Sequence, residues 1–205
     1  SGTPPLLRYG ELLLETNKVM NLTAITEPKD VATLHFLDSA ALLTLADLKG
    51  KTVVDVGTGA GFPGMPMKIL EPSIQLTLLD SLGKRITFLQ EVCDNLGLTD
   101  VQCVHARAEE FAAEHRQSFD FAVSRAVARL NILLELLAPY VKVGGAVVAM
   151  KGSAAREELA ECTGALKKLG LKEEAFLEFP VDGASHAVIV LRKIAPTPRQ
   201  YPRRY

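Results

Sequence analysis

Asp55 sits in a β-branched run with Val53, Val54 and Val56, which gives way to glycines at 57, 59, 61 and 64 in the string VVDVGTGAGFPG. A buried strand that stops abruptly in glycine is the sequence form of a nucleotide-binding loop. Glycine admits positive φ and lets a ligand approach without meeting a Cβ. The helix-like segment Met65 to Leu70 follows. The loop therefore sits at a helix N-terminus, where unpaired N–H groups favour negative groups. Gly59, Gly61 and Gly64 also satisfy G-x-G-x-x-G, so the loop by itself admits a nicotinamide or flavin enzyme.

Three further sites add chemistry. Asp80 ends the strand-like run Gln75 to Leu79, roughly 20 residues past the glycines, where an acid that bonds a ribose is usual. That pairing points to an adenosine-containing cofactor; an ordinary glycine turn with Asp80 as a helix cap is the plainer alternative. Ala108 and Glu109 follow a third strand, at the carboxyl end where ligands of open sheets collect. There the Ala108 N–H could read an adenine edge, although Glu109 and Glu110 would equally suit a helix dipole. Arg125 ends a fourth strand in an apolar setting, and its planar fork could hold a phosphate, a carboxylate or a guanine edge. Arg129 is one turn on if a helix follows, so the two could face the same way; a structural salt bridge is the competing reading.

The elements that must position these residues alternate strand and helix. Leu6 to Met20 and Pro28 to about Leu45 read as amphipathic helices, separated by Asn21-Leu22-Thr23. His35 and Asp38 lie three apart on the second helix, hence on one face. They are either a packed histidine with its local carboxylate or part of a cleft. Lys84 to Leu96 is a helix capped by Gly97, and Val101 to His105 and Phe119 to Ser124 are strands. A helix is expected over Ile132 to Val141, a strand over Ala146 to Met150 after Gly144-Gly145, and a polar helix over Ala154 to Leu169. Leu171 to Phe179 and Ala187 to Arg192 are strands joined by Val181-Asp182-Gly183. Two final strands without a helix between them predict an antiparallel hairpin, which a pure dinucleotide fold does not supply.

The chain has 205 residues and a formal net charge of −1, with three cysteines, Cys93, Cys103 and Cys162. That length fits one α/β domain with a small appendage, able to bury about 70% of its unfolded surface. Near-neutral charge gives no global footprint for nucleic acid, so such binding must rest on local patches. The cysteines have no metal-like spacing and read as thiols of a reducing cytosol, which places the protein in the cytoplasm. No apolar run approaches the ~20 residues of a membrane span, and no secretory signal is present. Because the sequence opens at Ser1 and stops in a basic stretch, both ends are expected to be trimmed.

The motifs taken together resemble a known family. NLTAIT (Asn21 to Thr26), HFLDS (His35 to Ser39), DVGTGAGFPG (Asp55 to Gly64), LLDSLGKR (Leu78 to Arg85) and SRA (Ser124 to Ala126) are similar to the bacterial glucose-inhibited division protein B family, the small-subunit ribosomal RNA (guanine-N7) methyltransferases. LLDSLGKR is far more specific than the glycines, and the likeness covers nearly the whole chain. The resemblance implies a class I S-adenosylmethionine methyltransferase, an α/β fold with a Rossmann-like seven-stranded sheet whose last strand is antiparallel. It implies a small N-terminal helical extension (1–46), a methyltransferase domain (47–194) and a basic, proline-rich tail (195–205). By the same resemblance, Gly57 and Phe62 contact the cofactor, and Asp55, Gly59 and Gly61 shape its loop. Asp80, Ser81 and Leu82 hold the ribose and adenosine, Ala108 and Glu109 line the adenine pocket, and Arg125 sits at the methyl-transfer end as the catalytic residue. The implied partner is 16S ribosomal RNA or the small subunit, with no metal, acting as a monomer.

Guanine N7 carries an in-plane lone pair and no proton, so this chemistry needs no general base. Arg125 is expected to orient guanine through O6, because N7 must stay free. RNA contacts are expected from Lys84, Arg85, Arg125, Arg129, Lys151, Arg156, Arg192, Lys193, Arg199, Arg203 and Arg204. Tyr201 and Tyr205 could stack on bases from a tail kept extended by Pro196, Pro198 and Pro202. Two rivals remain at this level: a nicotinamide-dependent oxidoreductase using the same loop, and a non-catalytic RNA-binding module.

Overall fold

Valines at alternate positions of β1 (Thr52–Val56) pack on opposite faces, Val53 into one apolar core and Val54 with Val56 into another. A strand buried on both sides must be central in a parallel sheet, and β1 is. In this computed structural model, which describes residues 4–20, 28–125, 128–181 and 183–203, β1 lies between β2 (Gln75–Asp80) and β4 (Phe119–Ser124). β3 (Val101–His105), β5 (Val141–Lys151), β6 (Leu171–Val181) and β7 (Ala184–Lys193) complete a seven-stranded sheet of order β3-β2-β1-β4-β5-β7-β6. β7 alone runs antiparallel, wedged between β5 and β6. The expected closing hairpin is therefore present.

Helices cover both faces. α1 (Pro5–Met20), α2 (Pro28–Leu45), α3 (Gly64–Leu70) and α4 (Gly83–Leu96) contribute Tyr9, Leu42, Met65 and Phe88 to the Val53 core. On the other face lie α5 (Ala108–Glu114), α6 (Leu130–Leu137), α7 (Ala155–Glu161) and α8 (Thr163–Leu169). They bring Ala112, Leu133, Leu159 and Leu169 to Val54, Val147 and Ile189. Strand order reverses at β1, so the crevice outside the carboxyl ends of β1, β2 and β4 is where ligands of such sheets bind. Ser124 Oγ donates to Val56 O (2.8 Å, buried) and ties two of those ends together.

Three boundaries differ from the sequence reading. The helix expected over Ile132 to Val141 is α6 followed by a 3-10 turn, Ala138–Tyr140, and Val141 already belongs to β5. Pro139 lies in that turn and has no N–H for a continuing α-helix. β5 runs through Gly144-Gly145 instead of starting after them, with its register against β4 shifting between Phe119 and Phe121. A Cβ on Gly145 would collide with the carbonyl of Asp120, so the irregularity requires glycine. The polar helix over Ala154 to Leu169 breaks at Cys162, next to Thr163 and Gly164, both poor helix formers.

The largest correction concerns the tail. It is a docked strap, not an extended arm. The Arg116 guanidinium donates to the carbonyls of Tyr201 (2.6 Å), Thr197 (3.1 Å) and Pro198 (3.2 Å). Thr197 Oγ1 donates to Leu169 O (2.9 Å), and Arg203 clasps the buried Glu135 carboxylate at 2.8 and 2.9 Å. Tyr201 is only 8% exposed and belongs to the core, so its ring is not available for stacking. Asn21 to Thr26, Ala126, Asp182, Arg204 and Tyr205 lie outside the described residues. Among the described residues no helix is long and apolar enough to cross a membrane.

Candidate active site

The glycine loop is sewn to the neighbouring strand. Gly57 N and Thr58 N both donate to Leu79 O (2.9 and 3.0 Å), and Gly59 N donates to Asp80 Oδ2 (2.8 Å). Asp80 Oδ1 accepts from Leu82 N (2.9 Å), and Arg85 Nη1 lies 3.6 Å from Oδ2. One buried carboxylate thus organises the loop after β1 and the turn into α4. Each of its oxygens accepts more than one hydrogen bond, so capacity for hydroxyl donors remains.

The glycines divide by what surrounds them. Gly59 has φ +59° and open space where a side chain would stand. Gly61, at φ +105°, has no room for a Cβ, which would collide with Met65, Tyr9 and Leu89, so it is fixed by packing. Tyr9 also donates its hydroxyl to Ala60 O, clamping the loop from α1. Asp55 lies beneath: Oδ2 accepts from Thr58 Oγ1 (2.7 Å) and Gly64 N (2.9 Å). Its Oδ1 is buried with no partner among the described residues. Burial pushes this carboxyl up to about 7, against the opposing pull of those hydrogen bonds.

On the β3 side, Ala106 N donates to Asp80 O (3.1 Å), which draws the start of α5 toward the same acid. Ala108, the first residue of α5, offers its carbonyl to the Tyr140 hydroxyl, and Glu109 lies 3.7 Å from Arg107 Nε. Ser81 O is held by His105 Nε2 (3.0 Å), while the Leu82 side chain is 42% exposed at the mouth of the crevice.

Arg125 lies at the other end, with its guanidinium carbon 5.8 Å from the centre of the Phe62 ring and Nη1 3.6 Å from Asp38 Oδ2. Asp38 Oδ1 in turn lies 3.6 Å from His186 Nδ1 on β7. Burial raises the Asp38 carboxyl above its ordinary range, and Arg125 and His186 draw it back. The three groups line a cleft of about 290 Å³ with Met150, Lys151 and Gly152.

The sequence-derived residues therefore form two adjoining groups: Asp55, Gly57, Gly59, Asp80, Ser81, Leu82, Ala108 and Glu109 around the glycine loop, and Arg125 with Asp38 beyond Phe62. Arg129 does not join Arg125. It is 71% exposed and pairs with Glu161 at 3.0 Å. The side chain of His35 lies outside the described residues, so of that pair only Asp38 is placed. His186 and Tyr9 carry no local signal in the sequence; each reaches the site from a distant element. Several of the expected RNA-binding cations are committed elsewhere: Lys151 to Ala128 O (2.7 Å), Lys193 to Ala138 O (2.9 Å), Arg192 to Glu174 (2.6 Å), and Arg156 over the Phe176 ring (3.6 Å).

Solved structures share this architecture. A SAM-dependent methyltransferase from Aquifex aeolicus superposes with TM-score 0.59 at 20% identity, over 77% of this chain and 91% of that one. TYW2 of M. jannaschii, in complex with AdoMet, superposes with TM-score 0.62 at 15% identity, over 78% of this chain and 76% of that one. These likenesses are of fold. Sequence likeness is much closer: proteins called ribosomal RNA small subunit methyltransferase G are 49% identical in Alkaliphilus metalliredigens and 48% identical in Desulfitobacterium hafniense. The matches span 97% and 96% of this chain and 85% and 83% of those proteins. Neither the oxidoreductase reading nor the non-catalytic one finds support in these likenesses. Residues 3–186, which carry the glycine loop, Asp80, Asp38 and Arg125, match the model of rRNA small subunit methyltransferase G (GidB), and the chain belongs to that family.

Proposed function

We propose that this protein transfers the methyl group of S-adenosylmethionine to N7 of a guanine in 16S ribosomal RNA, acting as a cytoplasmic monomer. The observation that carries this reading is the proximity at Phe62: this residue of the glycine loop has its ring centre 5.8 Å from the Arg125 guanidinium carbon, and Arg125 lines the neighbouring cleft. A cofactor loop and an acceptor cleft this close together are what a direct transfer requires.

The residues fit the cofactor. Asp55 Oδ1, buried and without a partner among the described residues, suits a cationic amino group. Asp80 has acceptor capacity for ribose hydroxyls, the exposed Leu82 offers an apolar surface to adenine, and Ser81, Ala108 and Glu109 complete the rim. Gly57, Gly59 and Gly61 keep the loop close to the sheet, and Phe62 closes its end. When bound, S-adenosylmethionine supplies a sulfonium methyl that the N7 lone pair takes up as the carbon–sulfur bond breaks, the electron pair staying on sulfur and no proton leaving the base. The chain's own contribution is then alignment, which is worth up to ~7–11 kcal/mol. Arg125 orients the acceptor and does not activate it, since withdrawing electrons at O6 would weaken the nucleophile.

Labelled-methyl transfer to under-modified small-subunit RNA, followed by mapping of the product, tests this reading. The expected product is a single 7-methylguanosine. Transfer to another atom, or tight binding of NAD with none of S-adenosylmethionine in calorimetry, overturns it.

A further inference from the structure

We propose that Asp38 and Arg125 act as a pair to read the Watson–Crick edge of the acceptor base, Arg125 donating to O6 and Asp38 Oδ2 accepting from N1–H. This rests on the reading of guanine N7 as the methyl acceptor.

The pair presents a donor beside an acceptor: Arg125 Nη1 and Asp38 Oδ2 lie 3.6 Å apart, and both residues line the cleft of about 290 Å³, which has room for a single base. Guanine presents the complement, an O6 acceptor beside an N1–H donor. Adenine presents the reverse, an amino donor beside an N1 acceptor, so each of its groups would meet a like group on the protein. A site built to hydrogen-bond one pattern rejects the other strongly, because its buried polar groups are then left unpaired.

The long separations support a reading role over a purely structural one. Charge-assisted hydrogen bonds close to about 2.7–2.9 Å, whereas the Asp38 oxygens lie 3.6 Å from both Arg125 and His186. A carboxylate this buried is costly to leave loosely paired, and a base N–H shortens that deficit. Reading this edge also leaves N7 without a protein partner. Arginine commonly grips guanine through O6 and N7 together, which here would occupy the attacking lone pair. Asp38 supplies the second contact from the opposite side of O6 and so frees N7. Three separate elements hold the arrangement: α2 brings Asp38, the end of β4 brings Arg125, and β7 brings His186, which keeps Oδ1 turned away from Arg125.

The test uses the full chain with S-adenosylhomocysteine and ligated transcripts of small-subunit RNA, varied only at the mapped methylation position. Competition binding is the readout. Inosine keeps O6 and N1–H and is expected within about threefold of guanosine. 1-Methylguanosine, which loses N1–H but keeps O6 and N7, and adenosine are each expected to bind at least about tenfold more weakly. In Asp38→Ala, which removes the acceptor and the bulk facing N1, the penalty for 1-methylguanosine shrinks to less than about threefold, while S-adenosylmethionine affinity stays unchanged by calorimetry. 1-Methylguanosine binding like guanosine to the unaltered protein overturns the proposal, whether or not the variant folds. A separate transcript carrying 7-deazaguanosine keeps this edge and lacks N7. Methylation of that transcript would overturn the N7 reading instead, so the two failures are distinguishable.

Discussion

The Gly59 amide donates to Asp80 Oδ2 at 2.8 Å, so the glycine loop and the acid of the adjacent strand form one hydrogen-bonded unit. The same carboxylate caps Leu82 N at 2.9 Å. Losing it therefore releases the loop and also removes the ribose contact proposed above. Hydrogen bonds to a charged group contribute about 1.5–3 kcal/mol each. Asp80→Ala is expected to weaken S-adenosylmethionine binding by about tenfold to a hundredfold or more, read by calorimetry on protein whose circular dichroism is unchanged. Unaltered affinity would remove Asp80 from the cofactor site.

Arg125→Ala is expected to depress turnover by more than about tenfold, with cofactor affinity nearly unchanged. Because Asp38 then stays buried with His186 as its remaining charged neighbour among the described residues, unfolding free energy should fall by about 1–3 kcal/mol. Steady-state methylation and urea unfolding measure the two effects separately. Normal turnover would leave Arg125 a structural ion pair.

The pH dependence of stability carries the mark of Asp55. Its carboxyl is held at about 7 in the fold, against 3.8 ordinarily. Below about pH 4 the group is protonated in both folded and unfolded chains, and its favourable contribution is complete. As pH rises toward 7 the unfolded chain has lost the proton that the fold retains, so stability falls, and above 7 it levels off. Asp55→Asn removes that slope. Thermal midpoints from pH 4 to 8 are expected to show the variant gaining on the parent by roughly several degrees up to pH 7.

The strap depends on Arg116 and Glu135. Glu135 is buried and accepts from Arg203 through Nε, Nη2 and the main-chain N. Arg203→Ala removes both guanidinium donors and leaves the main-chain N of residue 203 on Glu135, and a loss of about 1–3 kcal/mol is expected, discounted because Arg203 is itself largely exposed. Pairing it with Glu135→Leu should recover most of the loss in a double-mutant cycle. If the single variant costs nothing, the clasp contributes no stability.

What the sequence made legible follows the range of the interactions. The glycine loop, Asp80 and Arg125 lie at strand ends, and a strand's end is marked locally by apolar alternation giving way to glycine or charge. Asp38 could be placed on a helix face but not against Arg125, since only the assembled sheet brings α2, β4 and β7 together. His186 sits in an apolar strand and is ordinary in its own neighbourhood. The tail shows the opposite failure. Its prolines and arginines describe an extended basic arm, and nothing around Arg116 announces that this side chain gathers three of the tail's carbonyls. The start of β5 was hidden because Val141 continues the apolar pattern of α6, leaving Pro139 as the only break.

The position of β7 between β5 and β6 has a consequence for biosynthesis. As the nascent chain leaves the ribosome, β6 emerges with no strand to lie against, and β5 shows a bare apolar edge until β7 arrives. Such an edge is a template for pairing with other chains. A chain that lacks β7 would thus keep that edge bare and is expected to aggregate instead of folding as a shorter enzyme.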